Sequence, residues 1–379
     1  LQNTYNQNPF SYLLLVGDKE IIPPAYVTPE PNGLETVPTD FFYSDLSSNW
    51  DTDNDGLRGE FSYGYMNEDY GIDFTPEVFV GRISTNYASQ VANIANRIVA
   101  YEQSTELWKE KNLLSAAFLN YQGEPELIYP QTDGGLFMEF MRETCLAGQD
   151  NFTMYELEGV VSSFPCNLPI NYNNLKNEFN SDSWGFVNWS AHGSSTSSTR
   201  KVWTIDYNNN NIPEPNEMHW MGMVDCQSFD NLINQDGTVI FAASCYNGNM
   251  DEYEPCLAEY ALIKKAVGVL AATRTGWYKV GWLNPGWGGL SSYNYHFVEN
   301  FRNNKLDLGS AQAWTNLLHT QYYLFGDPID SGGIIYPELQ NVYTYMLFGD
   351  PMIGWNSNEP DLKGEILVWE PEGNAGLAI

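Results

Sequence analysis

The 379 residues predict an α/β protein built on a mostly parallel sheet with helices on its faces. Three observations carry that expectation. Short apolar runs of strand length alternate along the chain with longer segments of helical period. Several of those runs are apolar throughout, as strands buried on both faces must be. Aliphatic and aromatic residues make up 43% of the sequence, with 12 Trp, 25 Tyr and 19 Phe, enough bulk for a large core.

Taken in order, YLLLVGD (residues 12–18) and PEVFVGRIS (76–84) read as strands separated by Asp- and Gly-rich loops. SQVANIANRIVAYEQ (89–103) reads as a helix, because Val91, Ile94, Ile98 and Val99 recur at helical spacing. These elements define an N-terminal α/β subdomain over residues 1–104. A second series follows over 105–356. NLLSAAFL is a strand, GLFMEFMRETCLAG a helix, WGFVNWSAHG and GTVIFAASC strands, LAEYALIKKA a helix and VGVLAATR a strand. Strand–helix alternation of this kind favours parallel pairing. Residues 357–379 are acidic and Pro-punctuated and read as a tail or linker. FGDP occurs at Phe325–Pro328 and again at Phe348–Pro351, but nothing around the copies matches, so no repeat architecture is expected.

Charge narrows the partners. With 17 Lys+Arg against 48 Asp+Glu, the formal charge is −31, the wrong sign for neutralising phosphate backbones, so nucleic acid is not an expected partner. No apolar run approaches the roughly 20 residues of a membrane-spanning helix. Residues 1–18 lack the basic head and small-residue cleavage site of a secretory signal. A start almost directly on a strand leads us to expect a leader and a removed pro-segment upstream. Scarce Lys with abundant Asn, Tyr, Trp and Asp fits a secreted protein that holds divalent cations. Five cysteines, Cys145, Cys166, Cys226, Cys245 and Cys256, form no CxxC pair, so zinc-ribbon and thioredoxin-like sites lose their basis. In an exported protein the odd count leaves at least one thiol free or intermolecular, and whether and how the rest pair stays open.

Two strands end on reactive residues. In parallel sheets the carboxyl ends of neighbouring strands form the edge where ligands bind. WGFVNWSAHG ends at His192 and Gly193; GTVIFAASC ends at Cys245. A cysteine nucleophile needs a neighbour that takes its proton and later protonates the leaving amine, and imidazole does both near neutral pH. His192 precedes Cys245 by 53 positions, close to the His-then-Cys spacing of caspases. Gly193, lacking a Cβ, and the Cys245 N–H are the expected oxyanion donors. Alone, each residue is more often a packed core cysteine or a structural histidine; the pair in this order points to chemistry. His219, His296 and His319 lie in Trp/Met- or Tyr/Leu-rich stretches and read as structural or surface residues.

WGFVNWSAHGS, VIFAASCYNGNMDEYEPCLAEY, YLLLVGDKEIIP, VFVGRIS and MLFGDPMIGW together resemble the gingipain family of cysteine peptidases, in the caspase-like clan. The likeness spans roughly residues 10–355. It implies a caspase-like α/β/α catalytic lobe beside a smaller N-terminal lobe, and endopeptidase activity through a Cys–His dyad and a thioester acyl-enzyme. His192 maps to the general base, Cys245 to the nucleophile, and Cys256 to a structural position. A family carboxylate that orients the His maps near Glu110, which by itself reads as solvated surface. The acid that receives arginine in Arg-specific members is replaced here by Leu119 and Asn120, with Glu124 and Glu126 as substitutes a little further on. Thr273, Trp277 and Trp282, after the nucleophile, map to the substrate-pocket wall, where an aromatic face stacks on a guanidinium; core packing is the competing role for each Trp. The acidic surface and these residues favour cleavage of protein substrates after Arg or Lys.

Two loops read as calcium sites. In DTDNDGLRGE, Asp51, Asp53 and Asp55 alternate before the turn at Gly56, and Glu60 closes the shell. In DYNNNNIPEPNE, Asp206, Asn208 and Asn210 take loop positions 1, 3 and 5, the Ile212 carbonyl position 7, Glu214 position 9 and Glu217 position 12. Asn211 takes the left-handed turn. The sequence favours this second loop, with solvated Asn/Asp turns as the alternative for both. No organic cofactor is expected: GxSxG, GxxxxGK[ST], HExxH and GxGxxG are all missing. Two rival functions share the features above, a sortase-like transpeptidase and a catalytically silent calcium-binding scaffold.

Overall fold

The computed structural model describes residues 1–29, 35–60, 69, 71–124, 130–324, 336–354, 368–369 and 376–377. In chain order the strands that organise it are β1 Tyr12–Val16, β2 Phe79–Ile83, β3 Lys111–Ala116, β4 Asp150–Tyr155, β5 Leu168–Pro169, β6 Phe186–Ser190, β7 His192–Ser194, β8 Ser197–Trp203, β9 Met218–Asp225, β10 Thr238–Ala243, β11 Ala266–Ala272 and β12 Tyr345–Gly349. A nine-stranded sheet runs in the order β1-β2-β12-β11-β10-β6-β3-β4-β5. From β11 across to β5 neighbouring strands are parallel, and β12 runs antiparallel to β11.

Every residue of β6, β10 and β11 is buried, which is why these runs carry no alternating polar face. Helices α1 Ala88–Gln103 and α3 Leu257–Lys264 pack on one side. Helices α2 Gly134–Glu143, α4 Gly289–Val298, α5 Leu308–His319 and α6 Tyr336–Thr344 pack together on the other. This is the expected α/β/α layering. In α1 the buried stripe is Ile94, Ile98 and Tyr101, whereas Val99 is exposed; the helix turns Val99 about 100° away from Ile98.

The expected boundary near residue 104 does not interrupt the sheet. β1 and β2 join the larger set through β12, which the chain reaches last and which meets β2 at the Phe348–Arg82 pair. Arg82 is fully buried there. Its guanidinium donates to both carboxylate oxygens of Asp40, at 2.7 and 2.6 Å, and to the Ile22 carbonyl. Beside the main sheet, β7, β8 and β9 form a three-stranded antiparallel sheet. Sequence reading placed only a loop in this region. The tail beyond residue 356 and Glu126 lie largely or wholly outside the described residues. Among described residues, no helix is long and apolar enough to cross a membrane.

Candidate active site

β6 and β10 pair in register to their ends, Ser190 opposite Ala243, and the Ala191 N–H still donates to the Ala243 carbonyl. The next residue on one side is His192; two residues on, the other delivers Cys245. The backbones stay in contact. A Cβ on Gly193 would lie 2.2 Å from the Cys245 carbonyl oxygen and 2.9 Å from its nitrogen, so only glycine fits. Asn247 ties the two segments together. Its amide donates to the Ser194 and Ser197 carbonyls at 2.8 and 3.1 Å, and its Oδ1 accepts from the Ser198 hydroxyl. Tyr246 adopts a left-handed φ of 59°, and its N–H donates to the Arg274 carbonyl just beyond β11.

The imidazole is oriented from β3's side of the sheet. His192 Nε2 lies 2.9 Å from the Leu119 carbonyl oxygen. A carbonyl only accepts, so Nε2 carries the proton and Nδ1 keeps its lone pair. The Tyr278 hydroxyl donates to the same carbonyl at 3.4 Å. Burial, reinforced by the nearby Lys201 ammonium, pushes His192 down to about 4. Burial also pushes the Cys245 thiol up, with the Glu35 carboxylate acting in the same direction. The Cys245 sulfur rests 3.6 Å from the Gly276 carbonyl. The resting pair is therefore neutral thiol and neutral imidazole.

Glu110 is not brought to this site. It ends the 3₁₀ turn that precedes β3, at the amino end of that strand, whereas Leu119 lies past its carboxyl end. A six-residue strand separates the two by roughly 20 Å. The Leu119 main-chain carbonyl takes the orienting position expected of Glu110. Thr273 and Trp282 are likewise core residues. The Thr273 hydroxyl donates to the Pro38 carbonyl, and Trp282 is 3% exposed, its indole N–H on the Ser292 hydroxyl and its ring edge-on to Phe137 and Phe140. Asn120 is buried, its amide held by the Pro130 carbonyl. Trp277 alone of the expected wall is exposed, directly after Gly276. Glu124 is occupied by Lys201 at 2.7 Å.

Sequence reading missed Glu35, Asn247, Arg274 and Trp220. The carboxylate of Glu35 accepts from the Tyr246 hydroxyl and from the Gln340 amide. Arg274 reaches both oxygens of Asp251, the Asn249 amide oxygen and the Thr36 carbonyl. Trp220, on β9, sets its ring edge-on to His192, with centroids 4.9 Å apart. One signal was legible. STRKVWTI and MHWMGMVD flank a polar Asn-rich loop, the pattern of a long hairpin.

The acidic loops divide. Carboxylate oxygens of Asp53, Asp55 and Glu60 lie within 4.8 Å of one another, as do those of Asp51, Asp53 and Asp69. Glu60 is 2% exposed; its Oε2 and the Asp51 Oδ1 are buried without partners. Burial, with repulsion from Asp55, Asp69, Asp53 and Asp51, raises Glu60 to about 7. Asp69 had not been counted, being separated from the motif by eight residues. In the second loop Asn209 and Asn211 take left-handed turns, at φ 58° and 57°. There the polar groups satisfy one another. Asn208 and Asn210 donate to Glu214, and the Glu217 oxygens accept from the Tyr207 N–H and the Trp203 indole. Among the described residues its acids do not converge on one point.

The model of peptidase family C25 matches residues 1–356. Among solved structures, the chain resembles the Arg-specific cysteine proteinase gingipain R (RgpB), with TM-score 0.60 and 18% identity over 98% of this chain and 69% of that one. It is similarly close to the complex of Porphyromonas gingivalis RgpB pro- and mature domains, with TM-score 0.60 and 18% identity over 93% and 67%. A structure described as a protease gives 0.58 and 17% over 98% and 70%. At these identities the likeness is one of fold. None of the curated proteins compared matches the chain.

Proposed function

The chain belongs to peptidase family C25 and is a cysteine endopeptidase, and from that premise we propose that Cys245 is its nucleophile and His192 its general base. The observation that carries this reading is the contact of Gly193 with the Cys245 backbone, which holds the imidazole segment and the thiol turn side by side. As the Cys245 sulfur attacks the scissile carbonyl carbon, its proton passes to Nδ1 of His192. The Gly193 and Cys245 N–H groups receive the developing oxyanion. His192 returns the proton to the leaving nitrogen as the C–N bond breaks. Water then adds to the thioester, the C–S bond breaks, and the thiol is regenerated.

Cleavage after Arg or Lys is the favoured specificity. Glu35 supports it better than Glu124, which Lys201 already neutralises, because the Glu35 partners are uncharged. The exposed Trp277 offers a face for a cationic head. Calcium is proposed at Asp51, Asp53, Asp55, Glu60 and Asp69. The buried, unpartnered oxygens of Glu60 and Asp51 fit a hard cation that prefers oxygen ligands. A secreted enzyme with a removed pro-segment is proposed in line with the composition and the RgpB pro-domain complex.

The test is a P1-scanning library of internally quenched peptides, assayed with wild type, Cys245→Ala and His192→Ala. Either substitution should abolish turnover, with P1-Arg and P1-Lys peptides preferred by wild type. Turnover by Cys245→Ala would overturn the nucleophile assignment, and preference for P1-Asp the specificity.

A further inference from the structure

We propose that Trp220 walls the leaving-group side of the cleft and selects an apolar or aromatic residue immediately after the scissile bond. The proposal rests on the Cys245–His192 reading of the site. In that reaction the leaving nitrogen must come within hydrogen-bond reach of Nδ1 of His192 to be protonated. The residue that carries this nitrogen therefore passes over the imidazole. The ring found beside the imidazole is Trp220, at an interplanar angle of 82°, and it is nevertheless 59% exposed.

The ring is held in place rather than loosely displayed. Lys201 is its cross-strand partner on β8 and sets its Nζ 5.9 Å from the ring centroid. That ammonium is itself fixed by Glu124. Trp220 is thus braced through its edge on His192 and by the cation, while the rest of the indole stays open to a ligand. Trp277 is a second exposed ring, one residue after Gly276, whose carbonyl the Cys245 sulfur approaches. An apolar side chain laid on the Trp220 indole removes both surfaces from water, whereas Gly offers none and Asp would lose hydration there.

The experiment uses quenched peptides identical except at the residue after the cleaved bond, which is Phe, Leu, Gly or Asp. Wild type should favour Phe and Leu over Gly by about ten-fold in kcat/KM. Trp220→Ala should level the series, and Trp220→Phe should keep most of the preference. A second measurement needs no variant. With phenylalaninamide or glycinamide added, the amine nitrogen bonds to the acyl carbon as the C–S bond breaks, and its proton returns through His192 to the sulfur. Mass spectrometry should find more transfer product with the aromatic amide. A flat wild-type series, equal trapping by the two amides, or a Trp220→Ala enzyme slowed by one factor on every peptide would overturn the proposal. Failure of the underlying reading would show separately, as turnover surviving Cys245→Ala.

Discussion

At the scale of single residues, the proposed Cys245–His192 chemistry depends on the protonation states of the two side chains. Burial disfavours the charged form of each, so His192 is lowered to about 4 and the Cys245 thiol is raised. A preformed thiolate–imidazolium pair would require both shifts to run the other way. In the proposed mechanism, nucleophile activation therefore accompanies substrate binding. Two consequences are measurable. The acid limb of kcat/KM should fall near pH 4 rather than near 6.5, since His192 stays unprotonated and able to act as base until then. Alkylation of Cys245 by iodoacetamide in the free enzyme should still be accelerating above pH 9; a plateau near neutrality would reveal a stable thiolate. The lowered His192 value also bears on folding. Because the unfolded chain binds this proton more readily, His192 contributes stability above about pH 6.5 and loses it as pH falls toward 4. Gly193 admits no side chain, so Gly193→Ala should cut kcat by about a hundred-fold or more as the oxyanion donors separate. Comparing kcat with the melting temperature of that variant distinguishes a displaced donor from general unfolding.

Between elements, side chains fix what the strands alone leave free. β6 and β10 bring His192 and Cys245 to one rim, but the turn after β10 is held by Arg274 and Asn247. Arg274 is nearly buried and pairs with Asp251 through two oxygens at 2.8 and 2.6 Å. Removing only the cation strands that carboxylate, and truncating one member of a buried pair costs about 3–5 kcal/mol. Arg274→Met should therefore lower the denaturant midpoint substantially, and Arg274→Met/Asp251→Leu should recover part of the loss. Asn247→Ala removes the amide that the Ser194 and Ser197 carbonyls accept from, at about 1–3 kcal/mol. Its activity should fall further than its stability, because those carbonyls belong to the hairpin that carries His192. The Asn-rich loop sits at the far end of β8 and β9, and its Asn and Glu side chains bond within it. Sequence spacing ranked it above the loop at residues 51–60, whereas among the described residues the carboxylates that converge are those of Asp51, Asp53, Asp55, Glu60 and Asp69, which is why the proposed cation is assigned there.

For the molecule as a whole, the net charge of −31 is a standing repulsion that a bound cation relieves. Glu60, raised to about 7 first by burial, also carries the repulsion of four aspartates. Calcium at this cluster predicts that EGTA lowers the melting temperature at pH 8 and that calcium restores it. Asp53→Asn should weaken that response more than Asp206→Asn does. Titration calorimetry without calcium uptake would remove the site. The sheet itself is a single structure from β1 to β5, so the N-terminal segment should unfold cooperatively with the rest. β12 makes it so by inserting the last part of the described core between β2 and β11.

The sequence by itself determined the α/β/α class, the strand runs that lead to His192 and Cys245, and a glycine at position 193 where the two backbones meet. Each is written in local pattern: apolar runs without alternation, a reactive residue at the end of each, a glycine where backbones meet. Only the tertiary structure decided what stands around that pair. Glu110 lies at the wrong end of β3, Thr273 and Trp282 belong to the core, and Asp69 joins a cluster it follows at a distance along the chain. The imidazole is held by a main-chain carbonyl, which every residue carries and no sequence motif can single out. Trp220 reaches His192 through a hairpin whose register is set by cross-strand pairing. Strand pattern is a property of neighbours in sequence, whereas the surroundings of His192 and Cys245 are contributed by segments tens to hundreds of residues apart.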